Sequence, residues 1–107
     1  SWLVAGVNDR VELADAALRL NAMIVRGWQL AGVTISDPAS VWIDRTVTLE
    51  ADSEVLPGTQ LKGATTIAAG AVVGPDSTLT DTEVGVDARV SRTDATLAVI
   101  GAGASVG

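Results

Sequence analysis

The chain has 107 residues, a mass of 10.8 kDa and a formal net charge of −6, which suits one small domain or one segment of a repetitive fold. Only seven Lys and Arg are present, without a basic stripe, so the composition excludes phosphate-directed nucleic-acid binding and disfavours anionic membrane surfaces. The absence of cysteine excludes disulfide and thiol chemistry but leaves the redox compartment open, and no apolar run reaches the length of a membrane span.

The first eight residues, SWLVAGVN, are mostly apolar and predict the end of a strand or a linker. This stretch is too short for a signal peptide and lacks a basic lead-in. Because the chain also does not begin with Met, we expect it to be a piece of a longer protein.

A helix is predicted from Asp9 to about Ala31, in a stretch rich in Ala and Leu. Asp9 is the expected N-cap, with Glu12 at the spacing of a capping box. Gly32 lies where a helix C-terminus favours a residue with positive φ. The residues spaced for one apolar face are Val11, Ala14, Leu18 and Val25.

Asp37 and Pro38 prevent a helix from continuing, because proline disfavours the α conformation of the residue before it. After this point the apolar period changes from about 3.6 to about 6 residues. A structural boundary is therefore predicted between Gly32 and Val41.

Two registers with a period of six residues follow this boundary. The aliphatic register is Ile43, Leu49, Val55, Leu61, Ile67, Val73 and Leu79. Four positions later in each repeat stand small or β-branched residues, namely Val47, Ser53, Thr59, Thr65, Ala71 and Ser77. About four extended residues and a two-residue corner make one side of a triangular coil, so residues about eighteen apart stack at strand spacing. The pattern predicts a parallel β-solenoid with aliphatic columns inside, small residues near the corners, and turns at or beside Pro57-Gly58, Lys62-Gly63 and Gly74-Pro75.

After Leu79 the register slips by one residue to Val84 and Val90 and then becomes unclear. It resumes at Ile100 and Val106. We expect one slipped corner and one irregular side, the latter filled by Ala95 or Leu97. The chain then ends inside a further coil. General crossover rules favour right-handed coils, but a strict hexad is associated with the left-handed parallel β-helix, and we follow that association.

Three groups of carboxylates stand out in the repeat region: Asp52 with Glu54, Asp76 alone, and Asp81 with Glu83 and Asp87. On a solenoid these side chains are expected to project outward from solvated corners, whereas a metal or acid–base site needs them to converge in a cleft. The chain has no histidine, so neither a zinc carbonic anhydrase site nor the usual active site of a hexapeptide acyltransferase is complete here.

Asn8 has two interpretations. From composition alone it is a helix-capping or turn residue. Its amide oxygen also suits a hard cation such as Mg²⁺, although only beside carboxylates that the chain does not obviously supply.

The segments GVNDRVELA and LAGVTISDPASVWID, followed by hexads, resemble the middle of the bifunctional UDP-N-acetylglucosamine pyrophosphorylase / glucosamine-1-phosphate N-acetyltransferase family, and the actinobacterial members most closely. The resemblance covers essentially the whole chain. GVNDR and the AGV…DP…WID pattern are fairly specific, whereas hexads alone indicate only the wider superfamily.

The resemblance implies a mainly β fold, a left-handed parallel β-helix of hexapeptide repeats preceded by one long α-helical arm. Residues 1–8 would end the uridyltransferase domain, 9–32 would form the arm, and 33–107 would be the first coils of the β-helix. Asn8 would be a Mg²⁺ ligand of the uridyltransferase site. The chain itself would hold no catalytic or cofactor-binding residue, because the other members of both active sites lie upstream or downstream.

The resemblance also implies a cytoplasmic homotrimer that serves peptidoglycan synthesis. Its parent enzyme would transfer acetyl from acetyl-CoA to glucosamine-1-phosphate, then transfer a uridylyl group from UTP to N-acetylglucosamine-1-phosphate. No nucleic acid or membrane partner is expected. The alternative is a non-catalytic trimeric β-helix scaffold, which would leave GVNDR unexplained. A stand-alone sugar acyltransferase lacks the histidine that it would need.

Overall fold

The structure is a computed structural model that describes residues 8–107, with only the backbone at Asn8. The strand end or linker predicted for residues 1–8 therefore lies outside the described part except for Asn8, which is helical. The described chain forms one helix, α1, followed by thirteen short strands. The bounds are α1 Asn8–Leu30, β1 Thr34–Ile35, β2 Trp42–Ile43, β3 Thr48–Leu49, β4 Glu54–Val55, β5 Gln60–Lys62, β6 Thr66–Ile67, β7 Val72–Val73, β8 Thr78–Thr80, β9 Glu83–Val84, β10 Arg89–Val90, β11 Asp94–Thr96, β12 Val99–Ile100 and β13 Ser105–Val106.

The strands form three parallel sheets, one for each side of a triangular coil. Their orders are β1-β4-β7-β10-β13, β2-β5-β8-β11 and β3-β6-β9-β12. Strands that are neighbours in a sheet come from successive coils, because each strand pairs with the third strand after it. The predicted parallel β-solenoid is confirmed, with about four stacked coils.

The aliphatic register fills the interior as predicted. Ile43, Leu61 and Leu79 stand in register in one sheet, and Leu49 and Ile67 do so in another. Val55 and Val73 pair in the third sheet. All of these side chains are buried, and so is every member of the small-residue register. Burial of one aliphatic side chain per coil side supplies most of the apolar driving force of this fold.

The later coils are shorter than the hexad predicts. Asp81, Arg92 and Leu97 each turn a corner as a single residue with positive φ, at 49°, 47° and 54°. One left-handed residue replaces the usual two-residue turn, so the register shortens at three corners and the expectation of one slipped corner and one irregular side was too simple. Ala95 stands in register with Leu79, so of the two residues predicted to fill the irregular side it is Ala95 that does so. Leu97 is 79% exposed.

The first coil begins earlier than the hexad pattern indicated. Ile35 is buried and stands in register with Val55. A 3₁₀ helix at Pro38–Ser40 lies between β1 and β2 and lengthens this side of the coil. Ile35 therefore falls outside the six-residue spacing even though it belongs to an interior column.

Helix α1 departs from the prediction at its start and agrees with it at its end. Asp9 lies inside the first helical turn, so its assignment as N-cap was wrong; a carboxylate there is still favoured by the positive end of the helix dipole. Gly32 has a φ of 101° as predicted. Val33 N donates to Trp28 O at 3.0 Å and Gly32 N to Gln29 O at 3.2 Å, the paired bonds of a Schellman cap.

The predicted apolar face of α1 is only partly used. Of its four members Val25 is fully buried, whereas Val11 and Leu18 are 62% and 51% exposed and Ala14 is also exposed. The solenoid covers α1 only from about Asn21 onward. Amphipathic spacing identified the face correctly but could not indicate how far along the helix the packing extends.

Hydroxyl groups of the small-residue register lie against backbone carbonyls. Thr65 Oγ1 donates to Lys62 O at 2.7 Å and accepts from Thr82 N at 3.2 Å. By contrast, the buried Thr59 Oγ1 has no hydrogen-bond partner among the described residues. These two threonines hold equivalent positions in successive repeats and form a natural comparison.

We expect Thr65→Val to lower the free energy of unfolding by about 1 to 3 kcal/mol, because the Thr82 amide would lose its acceptor in a buried position. Thr59→Val should leave it unchanged or raise it, since no hydrogen bond is lost. Urea unfolding of both variants at one protein concentration measures the difference. Equal losses in the two variants would contradict the expected role of the Thr65 hydroxyl.

Candidate functional site

Asn8, the predicted Mg²⁺ ligand, is the first described residue of α1. It lies thirteen positions before Asn21 on the helix, which corresponds to about 20 Å at 1.5 Å per residue. Its side chain lies outside the described part of the structure, so its role as a metal ligand stays a prediction. Among residues 8–107 no group of three His, Cys, Asp or Glu side chains is arranged to hold a metal ion.

The corner aspartates have a structural role. The four aspartates Asp52, Asp76, Asp81 and Asp87 are exposed and have positive φ values of 68°, 51°, 49° and 59°. Asp81 Oδ1 accepts a hydrogen bond from Ala64 N at 2.8 Å, in the preceding coil. Aspartate tolerates the left-handed conformation because its short side chain can bond to nearby backbone. These residues therefore turn the chain, and the Asp81 side chain also joins two successive coils.

Two of the carboxylates lie elsewhere than expected. Glu54 and Glu83 are in strands β4 and β9, on the outer face of the solenoid, and Glu54 is half-buried. Each glutamate directly precedes an interior aliphatic residue in its strand, and successive side chains of a strand point to opposite faces, so the glutamate lies on the outer face. Neither converges with the corner aspartates in a cleft.

The most developed polar arrangement lies where α1 crosses the first coil. Asn21 is 5% exposed, although it lies on a helix. Its Nδ2 donates to Val41 O at 2.7 Å, and its Oδ1 accepts from Ile43 N at 2.9 Å. Both groups of the carboxamide are thus used on the edge of β2.

Other residues of α1 complete this junction. Gln29 Nε2 donates to Ile35 O at 2.9 Å, on the edge of β1. Val25 is fully buried between the two amide contacts, and Ile24 and Trp28 are partly buried against the same core. The junction therefore combines buried apolar side chains of α1 with two side-chain amides that hydrogen-bond to backbone groups at the edges of strands.

Two open grooves flank α1 at the junction. One has a volume of about 390 Å³ and lies between α1 and the corner after β2, with Leu20, Trp42 and Arg45 among its walls. The other, of about 410 Å³, lies on the opposite side and includes Arg26 and Pro38. Neither brings together a nucleophile, a base and an oxyanion donor, so the grooves carry no reaction chemistry by themselves.

The sequence prediction missed Asn21 because it looked for chemistry among carboxylates and histidines. A signal was nevertheless present. Asn21 lies three residues after Leu18 and four before Val25, so it occupies a core-facing position of the amphipathic pattern. A polar residue at such a position must find a partner when it is buried.

Within residues 8–107, no helix has both the length and the apolar character to cross a membrane. No family model matches the chain. The chain is 70% identical over 107 residues to the bifunctional protein GlmU of Clavibacter sepedonicus, and it covers 22% of that protein. It is 61% identical over 106 residues to the bifunctional protein GlmU of Micrococcus luteus and 58% identical over 106 residues to that of Kineococcus radiotolerans, covering 21% and 22% of them.

The chain belongs to the GlmU family. It spans about a fifth of the length of the GlmU relatives that it matches, so it corresponds to a segment of such a protein. The resemblance expected from GVNDR and the AGV…DP…WID pattern is confirmed. The helix and the solenoid both lie within the matched segment, because the alignment with the Clavibacter GlmU covers the whole chain.

Proposed function

We propose that this chain is the joint of a bifunctional transferase that makes UDP-N-acetylglucosamine, connecting a uridyltransferase half to an acetyltransferase half. The observation that carries the proposal is the overall 70% identity to a GlmU protein in an alignment that spans the whole chain and so includes both the helix and the coils. In this proposal residues 1–8 end the uridyltransferase domain, 9–32 form the arm, and 33–107 begin a left-handed β-helix.

The substrates and the cofactor belong to the whole enzyme. Its β-helix half would transfer acetyl from acetyl-CoA to glucosamine-1-phosphate, and its other half would transfer the uridylyl group of UTP to the phosphate of that product, with pyrophosphate leaving and Mg²⁺ as the cofactor. Asn8 would supply an amide oxygen to that Mg²⁺, a ligand type that suits a hard cation. The 107-residue chain alone would be inactive, and its lack of histidine supports this for the acetyl transfer.

The proposed assembly is a cytoplasmic homotrimer. The coils offer three outer faces, and Trp42 on one of them is 40% exposed, which suits contact with a second copy of the chain. Sedimentation of the purified chain should then give three times the monomer mass of 10.8 kDa. The negative charge and the scarcity of Lys and Arg support the absence of nucleic-acid partners.

A segment exchange tests the proposed function. These 107 residues would replace the matching segment of the Clavibacter GlmU, and both transferase reactions would be measured on the chimera. We expect both activities at levels close to those of the unmodified enzyme, because the exchanged segment would keep both the placement of the two halves and the proposed Mg²⁺ ligand Asn8. The isolated chain, assayed in parallel, should show no turnover in either reaction.

Sedimentation and circular dichroism of the chimera distinguish a functional failure from a folding failure. A folded, trimeric chimera that lacks both activities would contradict the proposal and favour the non-catalytic scaffold. Turnover by the isolated chain would also contradict it, since an active site would then be complete within these residues.

A further inference from the structure

In each sheet of a solenoid, the strand that belongs to the first coil has one edge that no earlier coil can cover. At β2, Trp42 N donates to Thr59 O and Asp44 N donates to Leu61 O, so these amides face the next coil. The amide of Ile43 and the carbonyl of Val41 point to the opposite edge. Unpaired edge groups are costly when buried and attract other strands when open.

Asn21 occupies the place of the missing strand at this edge. A carboxamide has the same planar donor and acceptor as a backbone peptide, and here its Oδ1 takes the Ile43 N–H while its Nδ2 gives a proton to Val41 O. Two bonds of 2.7 and 2.9 Å from one planar group fix both the position and the rotation of the side chain. The group is 95% buried, so water does not substitute for it.

The same face of α1 holds the second edge contact. Asn21, Val25 and Gln29 are spaced four residues apart, so they lie along one side of the helix. Val25 closes the interior of the first coil, and Gln29 bonds to the edge carbonyl of Ile35. Every residue from Arg10 to Leu20 is exposed, so the preceding part of α1 extends beyond the solenoid.

We propose that Asn21 is a positioning residue whose carboxamide acts as a surrogate strand, locking α1 to β2 so that Asn8–Leu20 project as a rigid arm at a fixed angle. The structural part of this inference stands on the contacts alone. Its purpose, the fixed placement of one catalytic half relative to the other, rests on the proposed function. The tests below use the 107-residue chain without any activity assay, so they can fail independently of the proposed function.

The substitution Asn21→Asp removes the donor while it keeps the size and the acceptor. The ionised carboxylate would face Val41 O and could not give it a proton, so the buried side chain should bind its proton more tightly than an unfolded Asp does. With the folded-state pKa raised, the stabilising contact is present below the ordinary carboxyl range and is lost as the pH rises through the raised value. The lock should thus become pH-dependent.

A pair of spin labels reports the lock directly. The chain has no cysteine, so Asp15→Cys on the arm and Val86→Cys at a corner give two unique sites, diluted with unlabelled chain to suppress contacts between copies. With Asn21 unchanged, we expect one narrow distribution of the distance between the two labels at both pH 4 and pH 7.5. For Asn21→Asp we expect a broad distribution at pH 7.5 that narrows at pH 4.

The control is Ala22→Asp, which adds the same charge at an exposed neighbouring position and should keep the narrow distribution at both pH values. A narrow distance distribution for Asn21→Asp at pH 7.5 would overturn the proposal. A broad distribution at both pH values, in a variant whose solenoid is still folded, would overturn it as well.

Hydrogen exchange of the unmodified chain provides a test that needs no folded variant. Ile43 N–H should exchange about tenfold or more slowly than Leu49 N–H, the matching edge position of β3, for which the described residues offer no such partner. Equal exchange rates would show that Asn21 does not protect the edge, and would overturn the proposal even if Asn21→Asp failed to fold.

Discussion

Leu61→Ala is expected to lower the free energy of unfolding by about 4 kcal/mol. Leu61 is fully buried, with Ile43 and Leu79 in register on either side of it in the same interior column. The backbone ladders of β2 and β8 hold those neighbours in place, so the column cannot close over the space left by the removed atoms. The loss should therefore lie in the upper part of the range for leucine truncation.

Urea unfolding at one fixed protein concentration measures this loss, because association would otherwise add to the apparent stability. Leu97→Ala is the matched control, since Leu97 is 79% exposed at a corner and its truncation should change stability by less than about 0.5 kcal/mol. A loss below about 1.5 kcal/mol at Leu61 would mean that the coils can collapse around a cavity.

Gly74→Ala is expected to cost about 3 kcal/mol, through strain and crowding together. Gly74 is buried and has a φ of 111°, a conformation that residues with a side chain rarely adopt. An added Cβ would lie 2.8 Å from Leu56 Cβ and 3.1 Å from Leu56 O. The carbonyl belongs to the preceding coil and cannot move without disturbing the sheet.

Gly101→Ala is the control for the change of residue type, because an added Cβ there would meet no atom within 4 Å and the backbone does not need positive φ. It should change the midpoint of urea unfolding only slightly. If the two alanine variants unfolded at the same urea concentration, the close approach at Gly74 would have no energetic consequence.

The sequence predicts the middle of the solenoid because a strict spacing of six residues maps directly onto coil geometry. It does not predict the ends of the pattern so well. Ile35 is displaced by an inserted 3₁₀ helix, and Ala95 by corners that need only one residue. Corner length depends on whether one residue adopts positive φ, and Arg92 and Leu97 are not residue types that signal this conformation.

The candidate site was harder to predict than the fold. Asn8 gains a specific role only from the family resemblance, since its residue type alone also suits a cap or a turn. Asn21 takes its importance from an edge that exists only after the coils have formed. Helical spacing placed it on the right face, but the pairing with Ile43 N depends on where α1 crosses β2. Contacts of this kind depend on the tertiary structure. Their only sign in the sequence is a polar residue at a position where the pattern calls for an apolar one.

The strand registers have a consequence for how this molecule loses its structure. Paired strands are 20 residues apart at the start, as for Thr34 and Glu54, and 16 apart at the end, as for Arg89 and Ser105. None of the thirteen strands that the structure describes pairs with a remote part of the chain, so each coil is held by its immediate neighbours, as in a one-dimensional array. Disorder introduced in one coil should therefore propagate along the axis by successive fraying of adjacent coils, and α1 gives the first coil a neighbour on its outer side.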